Sequence, residues 1–235
     1  MMSKTDINKL LLFDIDGTLL SGRGVPKKIF LEVIRRRFPD YEEHSDFRFS
    51  GLTDPQITRK LLAAHNRDVQ DMDLLVNDVL GEFLEELEKK VTIQNPPQIL
   101  QGVKTLLEIC RQRAECHLGL VTGNMRRGAE IKLKACGLHH YFPVGAFGSD
   151  YEDRNRLPPL AIDRAEKYYN VSFSKENIWI IGDSIHDVRC AKANGLRCLA
   201  VASGMTSPKT LCTEKPDFFL KDMNDTKKVL SVLGL

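Results

Sequence analysis

Three short strings in this sequence put oxygen-bearing side chains where an apolar run stops. The first is Phe13-Asp14-Ile15-Asp16-Gly17-Thr18, two carboxylates directly after Leu10-Leu11-Leu12. Charges are rarely tolerated at the end of a buried strand without partners. Alternation along a strand lets Asp14 and Asp16 project to one side, and Gly17 lets the chain turn sharply beside a ligand. The same letters also suit a surface turn or a calcium loop. The second string is Thr122-Gly123-Asn124, after Leu118-Gly119-Leu120-Val121. A hydroxyl and successive amides at a strand-to-helix junction can cradle an oxyanion, and they can equally cap a helix. The third is Gly182-Asp183-Ser184-Ile185-His186-Asp187, after Ile178-Trp179-Ile180-Ile181. Asp183 and Asp187 are four apart and share a face if a helix starts near Ser184. They then offer oxygen ligands to a hard divalent cation; the alternative is dipole-favoured capping.

The elements that must position these strings alternate. From residue 98 onward short apolar runs, including Leu196 to Val201, are separated by helix-length patterns at Gln98–Gln112, Met125–Cys136, Pro158–Tyr169 and Ile185–Asn194. Asn194-Gly195 stops the last of them. Such alternation predicts βαβ units and a doubly wound parallel α/β sheet, with ligands at the carboxyl ends of the strands. About a hundred residues separate the first strand from the second. Within that gap Pro26–Phe38, Thr53–Ala64 and Asp71–Lys90 read as helices, with no convincing strand, and Asn95-Pro96-Pro97 reads as a return linker. The expected organisation is a core of 1–21 and 95–235 with an all-helical insert at 22–94.

Composition narrows the function classes. A net charge of +2 over 235 residues calls for neither nucleic acid nor an anionic membrane. Arg35-Arg36-Arg37 reads as a solvated helix face. The six cysteines include no Cys-x-x-Cys pair, against a zinc knuckle or redox dithiol, and read as buried free thiols. The polar start and the short Leu10–Phe13 run fit neither a secretory leader nor a membrane span, so the expectation is a cytoplasmic protein, monomeric or weakly dimeric.

In their order and spacing, Asp14-Ile15-Asp16-Gly17-Thr18, Thr122 and Gly182-Asp183-x-x-x-Asp187 resemble the haloacid dehalogenase superfamily, nearest to its phosphoglycolate phosphatase-like hydrolases with a helical cap. The resemblance covers essentially the whole chain, through Pro216-Asp217-Phe218-Phe219-Leu220 and a final helix. It implies that Asp14 is the nucleophile and Asp16 the acid and base. It also implies that Mg2+ is held by the Asp14 carboxylate, the Asp16 carbonyl and Asp183, with Asp187 ordering what surrounds the metal. Thr122 with Gly123 and Asn124 would hold phosphoryl oxygens, and Gly17 and Thr18 would line the substrate site. One position departs from the pattern. The family's lysine is absent from Glu152-Asp153-Arg154-Asn155-Arg156-Leu157-Pro158-Pro159, so an arginine must serve, Arg154 in preference to Arg156.

Asp16 favours phosphoryl chemistry, since dehalogenases of this kind usually lack that residue. A sugar-phosphate mutase of the same fold remains the enzymatic rival, although Gly51-Leu52-Thr53-Asp54-Pro55 departs from its usual cap motif. A non-enzymatic binding module is expected to have lost one of the four carboxylates, and none is lost. The expected substrate is a small phosphorylated metabolite, phosphoglycolate-like by resemblance. Arg48 and Thr53 are candidates for its far end, or simply belong to a loop joining two helices.

Overall fold

The computed structural model describes residues 8–41, 49–64 and 71–235. Leu10 to Phe13 form most of β1 (Lys9–Phe13) and are wholly buried. A continuous apolar run of this kind suits a central parallel strand covered on both faces. Among the described residues the main sheet has six parallel strands in the order β5-β4-β1-β6-β7-β8, once two short strands, β2 (Leu20–Ser21) and β3 (Gln98–Ile99), are set aside. The others are β4 (Cys116–Thr122), β5 (Gly145–Phe147), β6 (Ile178–Gly182), β7 (Arg197–Val201) and β8 (Phe218–Leu220). Leu11 and Phe13 point into a cluster beneath α4 (Val103–Arg111) and α9 (Thr226–Leu233). Leu10 and Leu12 point the other way, into a cluster beneath α6 (Leu157–Tyr169) and α7 (Ile185–Ala193). Helices thus cover both faces, as doubly wound folds require. Strand order reverses around β1, which brings the carboxyl ends of β1, β4 and β6 side by side, where such sheets bind ligands.

The gap after β1 holds α1 (Val25–Arg37), α2 (Asp54–Ala64) and α3 (Met72–Lys90), as the helical periodicity predicts to within a residue. They pack on one another through a cluster of their own, including Phe30, Leu61, Leu80, Phe83 and Leu87. Two expectations need correction. The segment around this gap does contain strands: β2 leads out and β3 leads back, pairing antiparallel as Leu20↔Ile99 and Ser21↔Gln98. The helix expected from Gln98 accordingly starts only at Val103, after Gly102 turns the chain at φ +80°, where a Cβ would collide with the Met223 carbonyl. The remaining elements are α5 (Arg126–Ala135) and α8 (Pro208–Thr213). All six cysteines are free; Cys110, Cys116, Cys190 and Cys198 are buried, whereas Cys212 is exposed. Among the described residues no helix is long and apolar enough to cross a membrane.

Candidate active site

The three strand ends meet. Asp14 leaves β1 buried, its amide bonded to the Ile181 carbonyl of β6. Asp183 follows β6, and Asp187 lies on the first turn of α7. One oxygen from each of Asp14, Asp183 and Asp187 lies within 4.8 Å of the others. Small residues make this possible. A Cβ on Gly17 (φ +83°) or on Gly204 would run into the Asp183 carboxylate, so both glycines give that side chain its room.

Asp187 satisfies both readings of its string. Its Oδ2 accepts from the Ser184 amide (3.0 Å) and hydroxyl (2.7 Å) in a capping box, while Oδ1 accepts a short bond from Arg154. Thr122 is not the N-cap of α5. Its hydroxyl accepts from the Asn124 side chain at 2.8 Å and lies against Asp14, and Met125 occupies the cap position without a capping side chain.

Of the two arginines, the structure brings Arg154 to the carboxylates. It is 5% exposed, pairs with Asp187 and approaches Asp14 Oδ1 to 3.3 Å. Arg156 is exposed and stacks on Tyr151, 3.8 Å from the ring centre. The Thr18 hydroxyl donates to Asp183 Oδ1 at 3.3 Å, and the Gly17 amide is taken by the Leu20 carbonyl. Arg48 lies outside the described residues.

Two residues here were not anticipated. Lys132, in the middle of α5, is 3% exposed and donates to Asp16 Oδ2 and Asn124 Oδ1, both at 2.6 Å. Its signal was a lysine between two apolar residues, Ile131 and Leu133, on a helix whose other cations face solvent. Asp54, at the start of α2, crosses to the sheet: its Oδ2 accepts from the Met125 amide (2.7 Å), and its own amide donates to the Gly123 carbonyl (2.8 Å). It therefore caps α5 from another part of the chain. Neighbouring groups seat the same loop. Thr53 is fully buried and donates to the Glu152 carbonyl (2.9 Å), Arg154 donates to the Gly51 carbonyl (3.3 Å), and Arg59 pairs with Glu152.

The electrostatics leave the carboxylate cluster short of positive charge. Burial lifts the Asp14 carboxyl to about 6; Arg154 opposes the rise, and Asp187 and Asp16 add to it. Burial, with Asp14 and Asp187 alongside, pushes Asp183 well above the carboxylate range. Asp14 Oδ1 is buried without a hydrogen-bond partner, because the 3.3 Å approach of Arg154 lacks hydrogen-bond alignment. All-oxygen donors, an excess of negative charge and an orphaned carboxylate oxygen fit a hard divalent cation. Burial also lifts the Asp54 carboxyl to about 6, against the pull of Lys132.

Carboxylates gathered at the ends of adjacent parallel strands, with a buried arginine among them, make a site suited to a divalent metal and an anionic ligand on a doubly wound sheet. A family model described as haloacid dehalogenase-like hydrolase matches residues 11–201, and the chain belongs to that family. A pyrophosphatase PpaX of Listeria welshimeri is 26% identical over 217 residues, covering 92% of this chain and 93% of its own. Among solved structures, a β-phosphoglucomutase from Clostridium difficile superposes with a TM-score of 0.73 at 14% identity, covering 97% of both chains. A predicted phosphoglycolate phosphatase from Haemophilus somnus gives a TM-score of 0.70 at 19% identity, covering 95% of this chain and 98% of its own. The enzyme is of the phosphatase type, as the four carboxylates of the sequence imply.

Proposed function

We propose that this protein is a magnesium-dependent phosphatase of small phosphorylated metabolites that works through an aspartyl-phosphate on Asp14. The observation that carries the reading is the division of labour among the carboxylates. Asp14, Asp183 and Asp187 converge in a buried cluster, while the Asp16 carboxylate stands apart, held by Lys132 and Asn124. Asp14, Asp183 and the Asp16 carbonyl would hold magnesium, with Asp187 beside them, and the bound metal would supply the neutralisation that lets an anionic nucleophile meet an anionic phosphate.

With its carboxyl near 6, Asp14 is ionised at neutral pH and attacks phosphorus. A bond forms from its oxygen as the bond to the leaving oxygen breaks, and Asp16 gives that oxygen its proton. Water then attacks the phosphoryl group, Asp16 takes the water's proton, and the Asp14–phosphorus bond breaks to release phosphate. Arg154 and the Thr122 hydroxyl offset charge on the phosphoryl oxygens. The α1–α3 bundle, within an insert of 22–94 on a core of 1–21 and 95–235, acts as the cap. Its Gly51–Asp54 loop reaches the site, and it sets how large a leaving group fits.

Phosphoglycolate is the leading substrate, supported by the family resemblance and by the likeness to the predicted phosphoglycolate phosphatase of Haemophilus somnus. The pyrophosphatase relatives place pyrophosphate in the same panel. The test is phosphate release from a panel of small esters and pyrophosphate, with Mg2+ and with excess chelator. Release that needs the metal and vanishes in Asp14→Asn supports the reading. Undiminished hydrolysis in chelator refutes the metal requirement, and activity in Asp14→Asn refutes the nucleophile.

A further inference from the structure

A buried lysine needs a reason. Taking an ammonium out of water is costly unless it is paired, and ordering its long side chain adds entropy to that cost. Lys132 lies at a seam: Ile131 before it packs with the α1–α3 cluster, and Leu133 after it packs with the sheet. Its ammonium makes bonds of 2.6 Å to Asp16 Oδ2 and to Asn124 Oδ1. Asn124 closes the triangle by donating from Nδ2 to Asp16 Oδ2 (2.9 Å) and to the Thr122 hydroxyl (2.8 Å). Chemistry fixes the orientation of this amide. Turned over, it would set its donors against an ammonium and its acceptor against a carboxylate.

Two features separate this arrangement from an ordinary stabilising ion pair. The lysine side chain is 4% exposed, whereas the Asp16 side chain it holds is 41% exposed and open to the place where a leaving group must sit. Among the described residues, the hydrogen bonds to the Asp16 carboxylate all fall on Oδ2. Oδ1 is thereby left without a hydrogen bond from any described residue.

We propose that Lys132 is a positioning residue for Asp16: with Asn124 it pins Oδ2, so that Oδ1 is presented for proton exchange with the leaving oxygen and then with water. The assignment rests on the phosphatase reading above and adds to it a residue that no motif of the sequence marks. Lys132 bonds neither Asp14 nor Asp183; its bonds go to Asp16 and to Asn124, the amide that shares Oδ2 with it, so its loss is felt chiefly through Asp16.

The experiment compares wild type, Lys132→Met, Asp16→Asn and the double variant on an alkyl phosphate and on p-nitrophenyl phosphate. The alkyl leaving group needs the general acid, and the aryl one needs it much less. Lys132→Met is expected to lower kcat on the alkyl ester about 10- to 100-fold and on the aryl ester about fivefold or less, with KM within about threefold. In the Asp16→Asn background the same change is expected to cost less than about twofold, because the group it positions is already gone. Thermal unfolding checks that Lys132→Met folds. Lys132→Gln, which keeps a donor toward Oδ2, is expected to fall between wild type and Met, and it carries the test if Met does not fold. Equal losses on the two esters, or losses that multiply in the double variant, overturn the assignment while leaving the phosphatase reading intact. An inactive wild type, or an active Asp14→Asn, overturns that reading and this assignment with it.

Discussion

The metal-free protein is expected to become more stable when Asp14, the proposed nucleophile, is replaced by asparagine, and the gain should depend on pH. Asp14 is raised from 3.8 to about 6, chiefly by burial. Between those values the folded protein keeps a proton that the unfolded chain has released. Stability therefore falls as pH rises through that window, and the whole cost is in place above it. A gap of roughly two units corresponds to about 3 kcal/mol. Asparagine copies the protonated carboxyl in shape and charge, so Asp14→Asn removes that cost. In chelator at pH 8 the variant should exceed wild type by up to about 3 kcal/mol, or roughly 6–12 °C in Tm for a chain of this size. At pH 4.5, where the folded carboxyl is already protonated, the same linkage leaves about 1 kcal/mol. Adding Mg2+ at pH 8 should raise the wild type more than the variant and narrow or reverse the order. Unfolding followed by circular dichroism at both pH values, with and without metal, reads all four numbers. A variant less stable than wild type at pH 8 in chelator, or a gain equal at the two pH values, would refute the reasoning.

Arg154→Ala should lose about 2–4 kcal/mol of transition-state stabilisation in kcat/KM, by analogy with an oxyanion donor, while Arg156→Ala, which removes an exposed stacking contact, changes it little; a large loss confined to Arg156 reverses the assignment. Because Arg154 is buried between Asp14 and Asp187, its removal should also destabilise the fold by about 3–5 kcal/mol, so Arg154→Lys is the control that keeps the charge. In Gly204→Ala the new methyl group meets Asp183 Oδ2, and Mg2+ affinity by titration calorimetry should fall about 10- to 100-fold. Unchanged affinity there would remove Asp183 from the proposed metal site.

What could be read from the letters follows the range of the forces involved. β1 and β6 were legible because a strand buried on both faces is an unbroken apolar run, and an aspartate follows each, directly after Phe13 and after Gly182 at the end of β6. β5 was not: Gly145-Ala146-Phe147 is too short to show a period, and only its pairing with Leu120–Thr122 makes it a strand. The start of α4 was misplaced because Gln98-Ile99-Leu100 suits a helix locally, whereas its partner, Leu20–Ser21, lies almost eighty residues earlier. Asp54 was masked for a related reason. An aspartate before a proline at a helix start needs no further explanation, yet it caps α5, seventy residues on. The site's own residues were the more legible part, since Asp14, Asp183 and Asp187 are unlikely as packing. Lys132 was hidden because lysines on a helix ordinarily face water, and its burial depends on two layers meeting over it.

The antiparallel pair of β2 and β3 has a consequence beyond holding the bundle in place. Because exit and return are hydrogen-bonded neighbours, joined also by the bond from Arg23 to Gln98, three helices leave and re-enter the core at a single doorway. The sheet meets the excursion as it would meet a tight hairpin, since the ends of the loop are already closed whatever its length. Strand order, register and the positions of Asp14 and Asp183 are therefore insulated from changes in the bundle's size or sequence. Helices joined through such a doorway can be lengthened, exchanged or resurfaced while the strand ends beneath keep their geometry.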